Sequence, residues 1–189
     1  MAVVVDINVL VDAVTGLEPD ANFESWPSPH PVRGDPAANT LGVLNDPKEF
    51  ALWLSPHILD GTGRVLREYF GWSAARAAQY LDILVRIATR SGGATIEPDV
   101  EVSDCEDWED NRILELAADS GAVLIVSRRW SPARHESMAW HACRGSEHFV
   151  SKVDAMRRAQ RRIDATAAEM VEAHSKALDI LADSDAAPE

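Results

Sequence analysis

Two short stretches of the chain carry residue types that could do metal chemistry. Val3-Val4-Val5 runs directly into Asp6-Ile7-Asn8, and much further along Asp107-Trp108-Glu109-Asp110-Asn111 opens an amphipathic segment. Ligands of open parallel sheets sit outside the carboxyl ends of the strands. A carboxylate at a strand end and another at a helix start can therefore converge. Two facing carboxylates about 4 Å apart repel by roughly 4 kcal/mol at a protein-like dielectric, and a divalent cation relieves that repulsion. Mg²⁺ or Mn²⁺, hard and oxygen-seeking, suits such a site and keeps several waters. One of those waters, acidified by the metal, becomes the nucleophile for attack on a phosphodiester. Asp6 and Asp110 are the leading catalytic and metal-binding candidates, Asp107 is a further candidate ligand, and Asn8 can orient Asp6 or a water. Each motif also has a plainer reading. Asp-x-Asn after a strand is often a turn or cap, and Glu109-Asp110 suits the positive end of a helix dipole.

The elements that must position these residues follow from apolar patterning. Val3 to Val5 is β-branched and uninterrupted, as in a buried parallel strand, and Val9, Leu10, Ala13 and Val14 then recur at helical spacing up to Gly16. From residue 17 to 47, Pro19, Pro27, Pro29, Pro31, Pro36 and Pro47 mark a long, partly ordered excursion. Phe50 to Leu54 reads as a strand, and Ser55-Pro56 as a helix start with proline in its first turn. Gly61 and Gly63 interrupt the segment that follows. Ser73 caps a helix with Ala77, Ala78, Leu81, Leu84, Val85 and Ala88 as its apolar stripe. Gly92-Gly93 ends that helix, Ala94 to Glu97 reads as a short strand, and Pro98 to Glu106 as an acidic loop. Glu109 to Ser120 is the clearest helix, with Ile113, Leu114, Leu116 and Ala117 inward and Gly121 as its stop. Ala122 to Val126 is a second buried strand, ending in Ser127-Arg128-Arg129, where a further acid would complete the constellation. Alternating strands and helices of this kind imply an α/β protein, a three-layer sandwich around a central parallel sheet.

Residues 1–150 are expected to form that domain, residues 151–182 a helical extension, and residues 183–189 a disordered tail. With 189 residues, 46% of them hydrophobic, the chain can bury a real core. No apolar run approaches the roughly 20 residues of a membrane span, and the start Met1-Ala2-Val3 lacks a basic leader region. Cys105 and Cys143 are too few for a disulfide framework. A cytoplasmic location is expected, with no membrane partner. The formal charge of −13 repels nucleic acid at long range, so RNA binding requires a local basic patch. Arg157, Arg158, Arg161 and Arg162 are one candidate, although such a cluster is usually a solvated helix face.

The stretches Val4 to Leu10, Leu54 to Leu59, Glu109 to Ala117 and Ala122 to Ser127, in that order, resemble a PIN domain over roughly the first 150 residues. The resemblance implies an α/β/α sandwich and metal-dependent cleavage of single-stranded RNA. It also admits a VapC-type toxin neutralised by a small antitoxin; a homodimer is a separate expectation, through the helical extension. Asp6 matches the family's first acid, Asp110 the acid at the start of the later helix, and Ser127 the small hydroxyl residue after the last core strand. At two positions the pattern departs. The acid expected after Ile58-Leu59 aligns with Gly61, beside Asp60; the acid expected two residues after Ser127 aligns with Arg129. Asp60 could serve only through a register shift, because adjacent helix positions point about 100° apart. Arg128 and Arg129 could grip substrate phosphates. In the alternative, the Arg129 guanidinium pairs with Asp6 or Asp110 and takes the metal's place, leaving a catalytically silent module that binds RNA or a protein partner.

His135, His141 and Cys143 lack the paired spacing of a zinc site. Among the tryptophans, Trp53 and Trp72 read as core, whereas Trp108 and Trp130 adjoin the two candidate segments and could stack on bases.

Overall fold

A computed structural model describes residues 1–17, 23–28, 30–47, 49–103, 105–128, 143–144, 149–151, 153, 155, 157–158 and 161–168. Two compact units are present, Met1–Val150 and Ser151–Glu189. Of the second, residues 161–168 are helical, with Arg161 and Arg162 exposed. The tail from 183 to 189, Arg129, Trp130, His135 and His141 lie outside the described residues.

The first unit begins with β1 (Ala2–Val5), followed by α1 (Ile7–Thr15), α2 (Pro36–Leu44), β2 (Ala51–Trp53), α3 (Pro56–Glu68) and α4 (Ala74–Arg90), then α5 (Trp108–Asp119), β3 (Leu124–Ser127) and the two-residue β4 (Cys143–Arg144). The sheet order is β2-β1-β3-β4 and every pairing is parallel, with Val3 opposite Leu52 on one side and Leu124 on the other. Successive strand residues point to opposite faces. Val3, Val4 and Val5 are nonetheless all fully buried, as are Ile125 and Val126, so helices cover both faces. The fold is an α/β sandwich, as its apolar strands imply.

Where the local sequence is unambiguous, the elements form as expected. Ser55 and Ser73 cap α3 and α4 by accepting from Ile58 N–H and Arg76 N–H, each satisfying an amide that the first helical turn leaves unpaired. Several elements differ. The proline-rich excursion contains α2: Asp35 caps it through Ala38 N–H, Pro36 takes the first turn, and Ala37, Leu41 and Leu44 are buried. Phe23 and Trp26 of the same excursion pack on Tyr80, at centroid separations of 5.9 and 5.4 Å. Gly61 and Gly63 do not break α3, because packing outweighs their weak helix preference. They admit close neighbours instead: a Cβ on Gly63 would lie 3.1 Å from Leu81 Cδ1.

The buried stripe of α4 is rotated from the expected one and runs through Ala77, Tyr80, Ile83, Leu84, Ile87 and Ala88, leaving Ala78 and Val85 exposed. Tyr80 decides the rotation. Its ring is fully buried and its hydroxyl donates to the Leu10 carbonyl at 2.6 Å. In place of the expected strand from Ala94 to Glu97 there is a single bridge between Leu54 and Thr95. Gly93 sits so close to β2 that a Cβ there would lie 1.8 Å from the Leu52 carbonyl oxygen. Trp53 and Trp72, expected in the core, are only partly buried.

Candidate functional site

From β1 the chain supplies β2 on one side and β3 on the other, so the C-terminal ends of β1 and β3 flank a topological switch point, the usual ligand crevice of such sheets. Asp6 is the first residue beyond β1. Its N–H donates to the Val126 carbonyl at 2.9 Å, which ties it to β3. The residue also caps α1, with extended backbone and a carboxylate that accepts from Asn8 N–H at 3.4 Å. The plainer reading of Asp-x-Asn is therefore true, and it coexists with a further arrangement.

Asp6 is only 8% exposed. Its Oδ2 accepts from the Ser127 hydroxyl at 2.5 Å and from the Asn8 side-chain amide. Asn8 Oδ1 in turn accepts from Arg128 N–H at 3.2 Å. Ser127, itself 3% exposed, and Asn8 thus clasp one carboxylate oxygen between the end of β3 and the start of α1. Oδ1 is the less engaged oxygen. Burial pushes the Asp6 carboxyl above the ordinary aspartate range, and the donors from Ser127 and Asn8 only partly offset it. Among the described residues its partners are neutral donors. A buried carboxylate held by neutral groups alone is a place where a cation would be welcome.

Two further helices reach this edge. On α3, Gly61 faces α1, and a Cβ there would lie 2.6 Å from Ile7 Cδ1. Asp60 is exposed one position away. Arg64 of α3 pairs with Glu109 of α5 at 3.1 Å, and the His57 ring stands edge-on to Trp108 at 5.0 Å. These contacts join α3 to the start of α5. Asp107 is exposed and caps α5 by accepting from Glu109 N–H at 2.9 Å. Asp110, in the first turn, is half-buried. Arg128 is exposed and paired with Asp12.

Sequence reasoning missed the groups that seat α5. Asn111 clips the preceding loop from both sides, accepting from Cys105 N–H at 2.8 Å and donating to the Cys105 carbonyl at 2.9 Å. Glu115, 5% exposed, pairs with Arg112 at 2.8 Å and accepts from Val102 N–H. Polar residues at inward helical positions were the available signal. His57 was missed as well. Its Nε2 is buried with no hydrogen-bond partner among the described residues. A separate groove of about 1230 Å³, lined by Phe23, Trp26, Gln79 and Arg86 among others, shares none of the residues of the Asp6 site.

Residues 2–129 match the family model of the PIN domain. The chain belongs to the PIN-domain family. No curated protein and no solved structure matches it. PIN membership indicates a nuclease-type function in general, and PIN domains are generally RNA-binding and dependent on divalent metal. None of the helices among the described residues is long and apolar enough to cross a membrane.

Within this PIN domain the acids are thinly spread. No group of three His, Cys, Asp or Glu side chains among the described residues converges to hold a metal. The expected ligand set of Asp6, Asp110 and Asp107 is not gathered as a cluster, since Asp107 caps its helix from an exposed position. Gly61 turns toward α1 where an acid was expected; the carboxylates of α3, Asp60 beside it and Glu68 two turns further along, are both exposed. Magnesium is nonetheless commonly bound through one or two carboxylates, its remaining ligands being waters and substrate phosphate. Asp6 and the half-buried Asp110 are the candidate carboxylates for such a site.

Proposed function

We propose that this PIN domain is a metal-dependent endoribonuclease acting on single-stranded RNA, with Asp6 and Asp110 holding Mg²⁺ or Mn²⁺. The observation that supports this most is Asp6 itself: a buried carboxylate at the switch point, surrounded by neutral donors. The ion would supply an acidified water and neutralise charge on the phosphate under attack. Ser127 and Asn8 hold Oδ2 and so fix the direction of Oδ1 without adding charge. Arg128 reaches solvent from the end of β3 and can turn from Asp12 to a substrate phosphate, because an exposed ion pair holds by at most about 1 kcal/mol. In this proposal the setting is cytoplasmic, and the chain is the toxin of a pair with a small antitoxin or works as a homodimer.

A second reading, a catalytically silent module that binds RNA or a protein, is favoured by one observation. Gly61 presents no carboxylate, so the site is short of charge. Arg129 at the other departing position adds to that shortage by its residue type alone.

Calorimetric Mn²⁺ titration of wild type beside Asp6→Asn, with cleavage of a labelled single-stranded RNA, separates the two. Under the first reading, wild type binds saturably and cleaves, while Asp6→Asn folds but does neither. Absence of both activities in wild type sinks the first reading. Gain of Mn²⁺ affinity in Arg129→Asp would then support the second.

A further inference from the structure

Trp108 is the first residue of α5, two positions before Asp110, and is 58% exposed. A single exposed apolar side chain ordinarily needs no explanation. This one is braced. The Arg112 guanidinium lies over its ring, 5.3 Å from the centroid, and the His57 ring stands perpendicular to it at 84°. Arg112 sits one helical turn on, on the same face, and is itself held by the ion pair to the buried Glu115. The indole is thus fixed in orientation while much of its surface stays open. An aromatic held this way loses little conformational entropy when something stacks on it.

Its surroundings say what that something is. Arg64 and Arg112 flank the start of α5, with side chains 50% and 37% exposed, and Arg128 at the end of β3 is 59% exposed. Each has one carboxylate partner, but a guanidinium carries five N–H donors and keeps some for a phosphate. In a chain of net charge −13, Arg64 and Arg112 set positive charge beside a flat aromatic, among the acids Glu106, Asp107, Glu109 and Asp110 of the same segment. Aromatic faces between backbone-binding cations are how proteins hold single-stranded nucleic acid. Positions two apart on a helix diverge by about 200°, so Trp108 and Asp110 leave α5 on opposite sides. The stacked nucleotide therefore lies across the start of α5 from Asp110.

We infer that Trp108 is a base-stacking platform that holds single-stranded RNA at the start of α5, with Arg64 and Arg112 steering the phosphates of the stacked nucleotide. The inference takes its ligand from the ribonuclease reading, yet its test does not depend on cleavage. The affinity of a labelled single-stranded RNA is measured by fluorescence anisotropy in the Asp6→Asn background, with and without Trp108→Ala and Trp108→Phe. Trp108→Ala should weaken binding roughly 5- to 150-fold, the range for loss of one stacked base, and Trp108→Phe should restore most of it. The slope of affinity against salt should be unchanged, because a stacked ring releases no counterions. An abasic nucleotide at the stacked position should weaken wild-type binding while leaving the Trp108→Ala variant indifferent.

Equal affinity in Trp108→Ala, additive losses with the abasic RNA, or no RNA binding at all overturns the inference. Since Trp108 is exposed, Trp108→Ala should melt with its parent. Binding through Trp108 in a protein whose wild type never cleaves would retain the platform and discard the nuclease.

Discussion

The contact between Gly61 and Ile7 can be weighed against itself in a double-mutant cycle. In Gly61→Ala the new methyl would lie 2.6 Å from Ile7 Cδ1. Overpacking of this kind costs about 1–3 kcal/mol, while replacing glycine by alanine inside a helix returns about 1 kcal/mol. The single substitution should therefore destabilise by about 0–2 kcal/mol. Ile7→Val removes the Cδ1 atom and alone costs about 0.5–1.5 kcal/mol. Together the two changes are complementary, since the added methyl occupies the space the lost one vacates. The next contact, Ile7 Cγ1 at 3.6 Å, is ordinary. The double variant should equal wild type or exceed it by about 1 kcal/mol. The resulting coupling, about 0.5–4.5 kcal/mol and centred near about 2.5 kcal/mol, exceeds the 0.3–0.5 kcal/mol scatter of independent sites over nearly all of its range. Urea midpoints at constant m-value measure it. Additive effects would refute the reasoning and remove Gly61 from the α1 side of α3. If the coupling holds, Gly61→Asp in the Ile7→Val background sets a carboxylate where the PIN pattern expects one, and Mn²⁺ affinity should rise.

Removing the Asp6 charge should change how stability depends on pH. Burial raises the folded carboxyl above its ordinary value of 3.8, so the folded state holds the proton more tightly than the unfolded chain. Stability contributed by the protonated form is therefore full below that value and lost as pH rises through the raised one. In EDTA, Asp6→Asn should lack this decline and gain on wild type as pH rises above 3.8; parallel profiles from urea unfolding would contradict the assigned burial. Gly93→Ala should cost upward of about 4 kcal/mol, because the atom its Cβ would meet at 1.8 Å is a backbone carbonyl oxygen that cannot swing aside. A soluble Gly93→Ala protein melting within a few degrees of wild type would show that the strand yields there.

Much of the fold was legible because local signals agreed with one another. Uninterrupted apolar runs marked β1 and β3, and Ser-Pro and Ser73 marked helix starts. Asp6 and Asn8 were legible for the same reason, lying where a strand must end. The helix α2 was hidden by the prolines around it, although Asp35-Pro36 followed by spaced apolar residues is a fair start signal. In α4 the period was readable but its phase was not, because alanines are indifferent and Tyr80 was needed to choose the buried side. β4 is too short to carry a pattern. Ser127, expected as the small hydroxyl residue after the last core strand, holds the Asp6 carboxylate. Nothing in sequence announces a contact spanning 121 positions. The bracing of Trp108 likewise depends on His57, from another helix.

That long span also sets a schedule. Asp6 is held by Ser127 and by the Val126 carbonyl, and β1 pairs with strands made far later. At about 5–20 residues per second, a ribosome needs roughly 6–24 s to travel from Asp6 to Ser127. Until then the aspartate that the proposed chemistry depends on has no partner on β3. If the proposed chemistry holds, a nascent chain cannot assemble this site, or cut the message being read, before Ser127 is made.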